Sequence, residues 1–187
     1  MADAKLYMIL LGATPPGRTI EQHDIFFGIA SDLKSLVPDI ICYWPEADGR
    51  IHIDGWQEVQ YAGSYEVHVR DRAAQGVPAD DVKLFFINLG GYKPGEFEEY
   101  HYKMVMAAKN KAEAIKLAKE TAFYKHTGFK GAESHVDDKF GVDVDDAYQI
   151  EEILSSKFKE KYRIDLVKRE GKGENKLNIG YFILNKL

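Results

Sequence analysis

The run Lys5-Leu-Tyr-Met-Ile-Leu-Leu-Gly12 returns, without a gap, as Lys83-Leu-Phe-Phe-Ile-Asn-Leu-Gly90. A self-similarity of this kind limits the chain to folds that can be built twice. The alignment stays in register: Pro16-Gly17 falls on Pro94-Gly95, Glu21 on Glu99, His23 on His101 and Ala30 on Ala108. With looser spacing, His52-Ile-Asp54 corresponds to His135-Val-Asp137, and Tyr65 to Val69 corresponds to Tyr162 to Leu166. The expected organisation is a first repeat over 1–72, a linker over 73–82 containing Gln75-Gly-Val-Pro78, a second repeat over 83–170 and a C-terminal strand extension over 171–187.

Each repeat opens on a short apolar run ending at glycine, and a Pro-Gly turn follows. Between Phe97 and Ala107, Tyr100, Tyr102, Met104 and Met106 alternate with Glu99, His101, Lys103 and Val105, the period of two that defines a strand. Asn110 is placed to cap a helix with Glu113 completing a capping box, and Ala114, Ile115, Ala118 and Ala122 recur at helical spacing. Asp32 holds the matching cap in the first repeat, where Pro38 is expected to end the helix. A further helix is expected over 147–161 with Asp145 or Asp146 as its cap, and a last strand over Leu177 to Leu184 is expected to seal a sheet edge. The predicted class is α+β: tandem duplicated ββα-β units forming largely antiparallel sheet, with helices packed on one face.

Composition narrows the function classes. The 187 residues are 45% hydrophobic and 12% aromatic, enough for a packed core, and the formal charge of -5 lacks the basic surface that nucleic-acid binding needs. The lysines between Lys157 and Lys176 are interleaved with Glu160, Asp165, Glu170 and Glu174 and read as a solvated face. Cys42 is the only cysteine, which excludes an intrachain disulfide and fits a reducing cytoplasm; its apolar neighbours predict a buried thiol. The opening apolar run is a strand rather than a signal peptide, because its counterpart lies inside the chain, and no apolar run approaches the ~20 residues of a membrane span. Tyr100, Tyr102, Phe123 and Tyr124 are expected in the core rather than stacked on bases.

Two loops resemble known motifs and fail on physics. Gly12-Ala-Thr-Pro-Pro-Gly17-Arg-Thr19 is close to a phosphate-cradling loop, but Pro15 and Pro16 have no N–H to offer phosphate, so a plain hairpin turn is expected. The acidic cluster Asp137, Asp138, Asp143, Asp145 and Asp146 lacks the order of an EF-hand loop.

The histidines carry the functional lead. On a strand, residues two apart share a face, so Glu21 with His23, Glu99 with His101, His52 with Asp54, and His135 with Asp137 would each project as a pair. Convergence of the two segments of one repeat would give His23, His52 and Asp54 in the first, and His101, His135 and Asp137 in the second. Such a set suits a divalent metal, Zn2+ or non-haem Fe2+, or a metal-free acid-base pair. The same pairs also suit purely local hydrogen bonding that fixes strand register.

The runs Leu-Gly-Gly-Tyr-Lys-Pro-Gly-Glu (89 to 96), Tyr-His-Tyr-Lys (100 to 103), Ala-Phe-Tyr-Lys-His (122 to 126) and His-Val-Asp-Asp-Lys-Phe-Gly-Val-Asp (135 to 143) resemble the bacterial domain-of-unknown-function family 1543. Pro-Pro-Gly-Arg (15 to 18), Glu-Gln-His-Asp (21 to 24) and Trp-Pro-Glu (44 to 46) extend the likeness to the first repeat. Members of that family carry one or two copies of the domain, and the resemblance implies a bacterial, cytoplasmic protein without supplying an activity. The expected function is a non-catalytic binding or interaction module, its partner a protein or a small molecule, with homo-oligomerisation left open. The rival expectation is a metal-dependent or His/Asp acid-base enzyme, most plausibly a hydrolase.

Overall fold

The computed structural model of the chain describes residues 3–74, 81–92, 95–126 and 143–187. They form a mixed α+β protein of antiparallel sheets with few helices, in two compact units: Met1–Pro78 with Leu154–Leu187, and Ala79–Ile153.

In the first unit, β1 (Lys5–Ala13) pairs antiparallel with β2 (Gln22–Ala30). The loop between them contains a turn in which the Arg18 N–H donates to the Pro15 carbonyl at 3.2 Å, with Pro16 and Gly17 in the middle. Gly17 has φ +80°, so proline and glycine occupy the positions a type II turn requires. Beyond β1 lie β3 (His52–Glu58) and then β10 (Asn178–Ile183), giving the order β10-β3-β1-β2. Alternation places Tyr7, Ile9 and Leu11 on one face, and α1 (Val37–Tyr43) follows a 3-10 turn that packs there. Leu36 and Ile40 are fully buried, and a Cβ on Gly28 would lie 2.8 Å from the Leu36 side chain, so a glycine is needed for that approach. The Tyr43 ring meets Phe26 edge-on and its hydroxyl donates to Asp24 at 2.9 Å.

Two local expectations are corrected here. Pro38 lies in the first turn of α1 rather than at its end, since its missing N–H is one the first turn would leave unbonded anyway. Asp32 does cap the preceding turn, accepting the Ser35 N–H at 2.9 Å. Cys42 is exposed, because the apolar face of this short helix is occupied by Leu36 and Ile40.

A second sheet of the same unit runs β4 (Tyr61–Ala62), β5 (Tyr65–Asp71) and β9 (Tyr162–Lys168), with Tyr65 opposite Lys168 and Asp71 opposite Tyr162. The strand 162–168, expected to close the second repeat, thus lies with the first unit. The C-terminal segment is held there by Asn175, whose side-chain oxygen accepts the Gln60 and Tyr61 N–H groups, each at 2.9 Å.

In the second unit, β6 (Lys83–Tyr92) is flanked by β7 (Glu99–Ala108) and β8 (Asp143–Gln149), in the order β7-β6-β8. Helix α2 (Lys111–His126) buries Ala114 and Ala118 against Phe85, Ile87 and Leu89, with Tyr102 and Met104 packed beside them. Small residues let the helix lie close, and larger ones there would overpack the core at a cost of about 1–3 kcal/mol. Asn110 caps as expected, its Oδ1 accepting the Glu113 N–H at 3.0 Å, while the Glu113 carboxylate reaches one residue beyond the cap and accepts the Lys109 N–H at 2.8 Å. The single helix expected over 147–161 is replaced by the end of β8, by α3 (Ile150–Ile153) and by α4 (Ser156–Lys161). Pairing of Phe85, Phe86 and Ile87 with Gln149, Tyr148 and Ala147 extends the strand through the proposed cap, so ladder hydrogen bonds displace the helix there.

Candidate metal centre

The candidate residues of the first unit lie at one end of its four-stranded sheet, on the face opposite α1. Gly12 pairs with His23 on one side and with His52 on the other, and partners in an antiparallel ladder share a face. Asp54 reaches that face through a bulge. Leu10 pairs with Gly55 and Leu11 with Ile53, so Asp54 is the extra, unpaired residue; it keeps the face of His52, and the ladder resumes with Gly55 on that same face. Glu21 is two residues before His23, immediately outside β2.

The side-chain atoms converge. His52 Nε2 lies 3.0 Å from Glu21 Oε1 and 3.1 Å from Asp54 Oδ1, while His23 Nε2 lies 3.2 Å from Asp54 Oδ2 and 3.5 Å from Glu21 Oε2. Gly12 is the floor: a Cβ there would stand 2.4 Å from Asp54 Oδ2 and 2.5 Å from His52 Nε2. The cluster has a closed and an open side, since the His52 side chain is 8% exposed and the His23 side chain 43%. Tyr181 lies against the His52 ring, centroids 4.3 Å apart.

These short distances are not aligned hydrogen bonds. Among the described residues, neither His52 Nε2 nor Asp54 Oδ2 has a hydrogen-bond partner, and both atoms are buried. A neutral imidazole nitrogen presents either an N–H or a lone pair. Here no carboxylate oxygen is placed to accept an N–H, and a lone pair facing two carboxylates is repulsive unless a cation lies between them. Glu21, His52 and Asp54 each offer one donor atom within 4.8 Å of the others, which is ligand-set spacing.

The second unit repeats the frame with other donors. Gly90 pairs with His101 and with Asp143, and the ladder shifts between Asn88 and Leu89 so that Asp145 is the bulged residue. A Cβ on Gly90 would stand 2.4 Å from Asp145 Oδ2. His101 Nε2 lies 3.5 Å from Glu99 Oε2, and its Nδ1 lies 3.8 Å from Asp145 Oδ2. Glu99, His101 and Asp145 form the second group with ligand-set spacing among the described residues.

The structure therefore gathers His23, His52 and Asp54 as expected, and adds Glu21. It gathers His101 with Glu99 and Asp145. His135 and Asp137, the expected partners of His101, lie outside the described residues; the register gives the positions of His52 and Asp54 to Asp143 and Asp145. The available sequence signal was Asp143-Val-Asp145, which keeps the x-spacing of His52-Ile-Asp54 but exchanges the imidazole for a carboxylate.

No curated protein matches the chain. Among solved structures, a protein Il1583 from Idiomarina loihiensis is similar in fold, with a TM-score of 0.65 over 97% of this chain and 99% of that one at 20% identity. Among the described residues, no helix is long and apolar enough to cross a membrane. Residues 18–69, a segment that holds Glu21, His23, His52 and Asp54 together, match the family described as Domain of Unknown Function (DUF1543).

Proposed function

We propose that this protein is a divalent transition-metal-binding module centred on Glu21, His23, His52 and Asp54, within a cytoplasmic, bacterial chain of two tandem domain copies. The observation that carries the reading is the buried His52 Nε2, which faces the Glu21 and Asp54 carboxylates at 3.0 and 3.1 Å without a hydrogen bond to either. Two imidazoles and two carboxylates suit Zn2+ or Fe2+. The two carboxylates balance the charge of M2+, which favours retention of the ion over capture of a polyanion.

Elemental analysis of tag-free protein tests this, with near-stoichiometric transition metal as the expected result. Adding Zn2+, Mn2+ or Fe2+ to stripped protein at 100 times Kd stabilises the fold by about 2.7 kcal/mol, a Tm rise of roughly 5–10 °C for a chain of this size. Absence of metal together with an unchanged Tm contradicts the proposal.

The exposed rim at His23 favours a second reading, a metal-dependent hydrolase. With Glu21, His23, His52 and Asp54 holding the ion, a further solvent-facing position at that rim would admit a water, and the ion would supply the chemistry of lowering that water's pKa toward ~7. Hydrolysis of activated carboxylate or phosphate esters by metal-loaded protein, lost in a folded His52→Ala variant, supports this; equal rates in both proteins remove it.

A further inference from the structure

We infer that the second unit holds a cation of its own, and that it is a harder ion than the first unit's: Mn2+ or Mg2+, bound at Glu99, His101 and Asp145. The inference rests on reading the first unit's cluster as a metal centre, because it takes the shared frame to be a cation cradle. That frame is specific. It consists of a glycine opposite a histidine, a glutamate two residues before that histidine, and a bulged aspartate lying over the glycine at the same register step. A bulge at the same step in both sheets is a built feature, since each bulge leaves a residue unpaired and bends its strand.

What changes is the donor set. Asp143 stands at the register position of His52, so an imidazole gives way to a carboxylic residue. The remaining imidazole is flanked by Glu99 and Asp145. Carboxylate-rich sets suit Mg2+ and Mn2+, whereas imidazole-rich ones suit Zn2+.

A second observation points the same way. Asn88 lies two residues before Gly90 on the same face of β6, is 9% exposed, and has an Oδ1 without a hydrogen-bond partner among the described residues. Its Nδ2 donates to Asp146 at 3.3 Å. The first unit has Leu10 at that position, with Ile25 and Gly55 beside it in place of Lys103 and Asp146. Hard cations retain several waters, and a buried carbonyl acceptor on the face of Gly90, with its amide on the neighbour of Asp145, is what a cation-bound water would use.

The test uses stripped, tag-free full-length chain loaded with one equivalent of Zn2+ and then titrated with Mn2+, free Mn2+ being read by electron paramagnetic resonance. One further equivalent of Mn2+ should bind, millimolar Mg2+ should displace it, and Asp145→Asn should weaken it at least about tenfold. His52→Ala should lose the Zn2+ while keeping the Mn2+. Zn2+ retention without Mn2+ uptake overturns the inference and leaves the first-unit centre standing. So does Mn2+ uptake indifferent to both Asp145→Asn and Gly90→Ala. Mn2+ uptake that depends on Asp145 in a chain that never retains Zn2+ does the reverse.

Discussion

Over Gly12 the first unit brings two imidazoles and two carboxylates together, with His52 buried; over Gly90 the second brings one imidazole between two carboxylates, each 31–41% exposed. The backbone device is common to both, and the chemistry is not. A glycine and a bulged aspartate fix where a ligand set can assemble, because ladder register leaves those side chains no other face. At the register position opposite the glycine, the first unit has His52 and the second has Asp143. Around that device the two sheets diverge in polarity, with Leu10 and Ile25 in one and Asn88 and Lys103 in the other; burial holds the Lys103 amine below its ordinary value.

The strongest way to break this comparison is at the glycines. A methyl group at Gly12 collides with Asp54 and His52 together, so Gly12→Ala should weaken Zn2+ binding about 100-fold and cost about 1–3 kcal/mol of stability. Gly90→Ala meets the Asp145 carboxylate first and should leave the first centre's Zn2+ affinity unchanged. Calorimetric titration of both variants decides it, and equal losses in the two would sink the idea of separate cradles.

Exchanging the donors sharpens the contrast by a smaller amount. His52→Asp should shift the first centre's preference from Zn2+ toward Mn2+ by about tenfold, or ~1.4 kcal/mol, and Asp143→His should shift the second the opposite way. Competition titrations with the two ions measure both shifts.

The smallest expected effects lie at the helix caps. Asn110→Ala should lower stability by about 1 kcal/mol, equally across acid and neutral pH, since its amide does not titrate. Asp32 behaves differently: the Ser35 backbone N–H, then the Ser35 and Ser31 hydroxyls, hold its carboxyl below the ordinary value. Its cap contribution is therefore present above the unfolded-state value and fades as pH falls through the lowered folded-state value. The penalty of Asp32→Ala should vanish in acid while that of Asn110→Ala persists, as thermal melts at several pH values will show.

How much of this was legible in the sequence depended on whether a signal was local. The period of two across Glu99 to Met106 gave a strand, and Asn110 with Glu113 gave a helix start, because alternation and capping act over a few residues. His23, His52 and Asp54 could be named because x-spacing on a strand puts side chains on one face. Bulges are invisible at that level. Nothing local in Asp143 to Asp146 says that one aspartate is the extra residue of a ladder, so those residues read as a helix cap; His135 and Asp137, the expected partners of His101, lie outside the described residues. The placement of β9 is not legible for a related reason, since its partner β5 is nearly a hundred positions away in the chain.

The central claim is that Glu21, His23, His52 and Asp54 surround a metal ion. X-ray absorption spectroscopy on stripped protein carrying one equivalent of Zn2+ tests it most directly. The account predicts a nitrogen/oxygen shell near 2.0–2.1 Å with outer-shell scattering from two imidazoles, which His52→Ala loses together with the bound ion. A spectrum of hydrated Zn2+, or imidazole scattering that His52→Ala leaves unchanged, would contradict it.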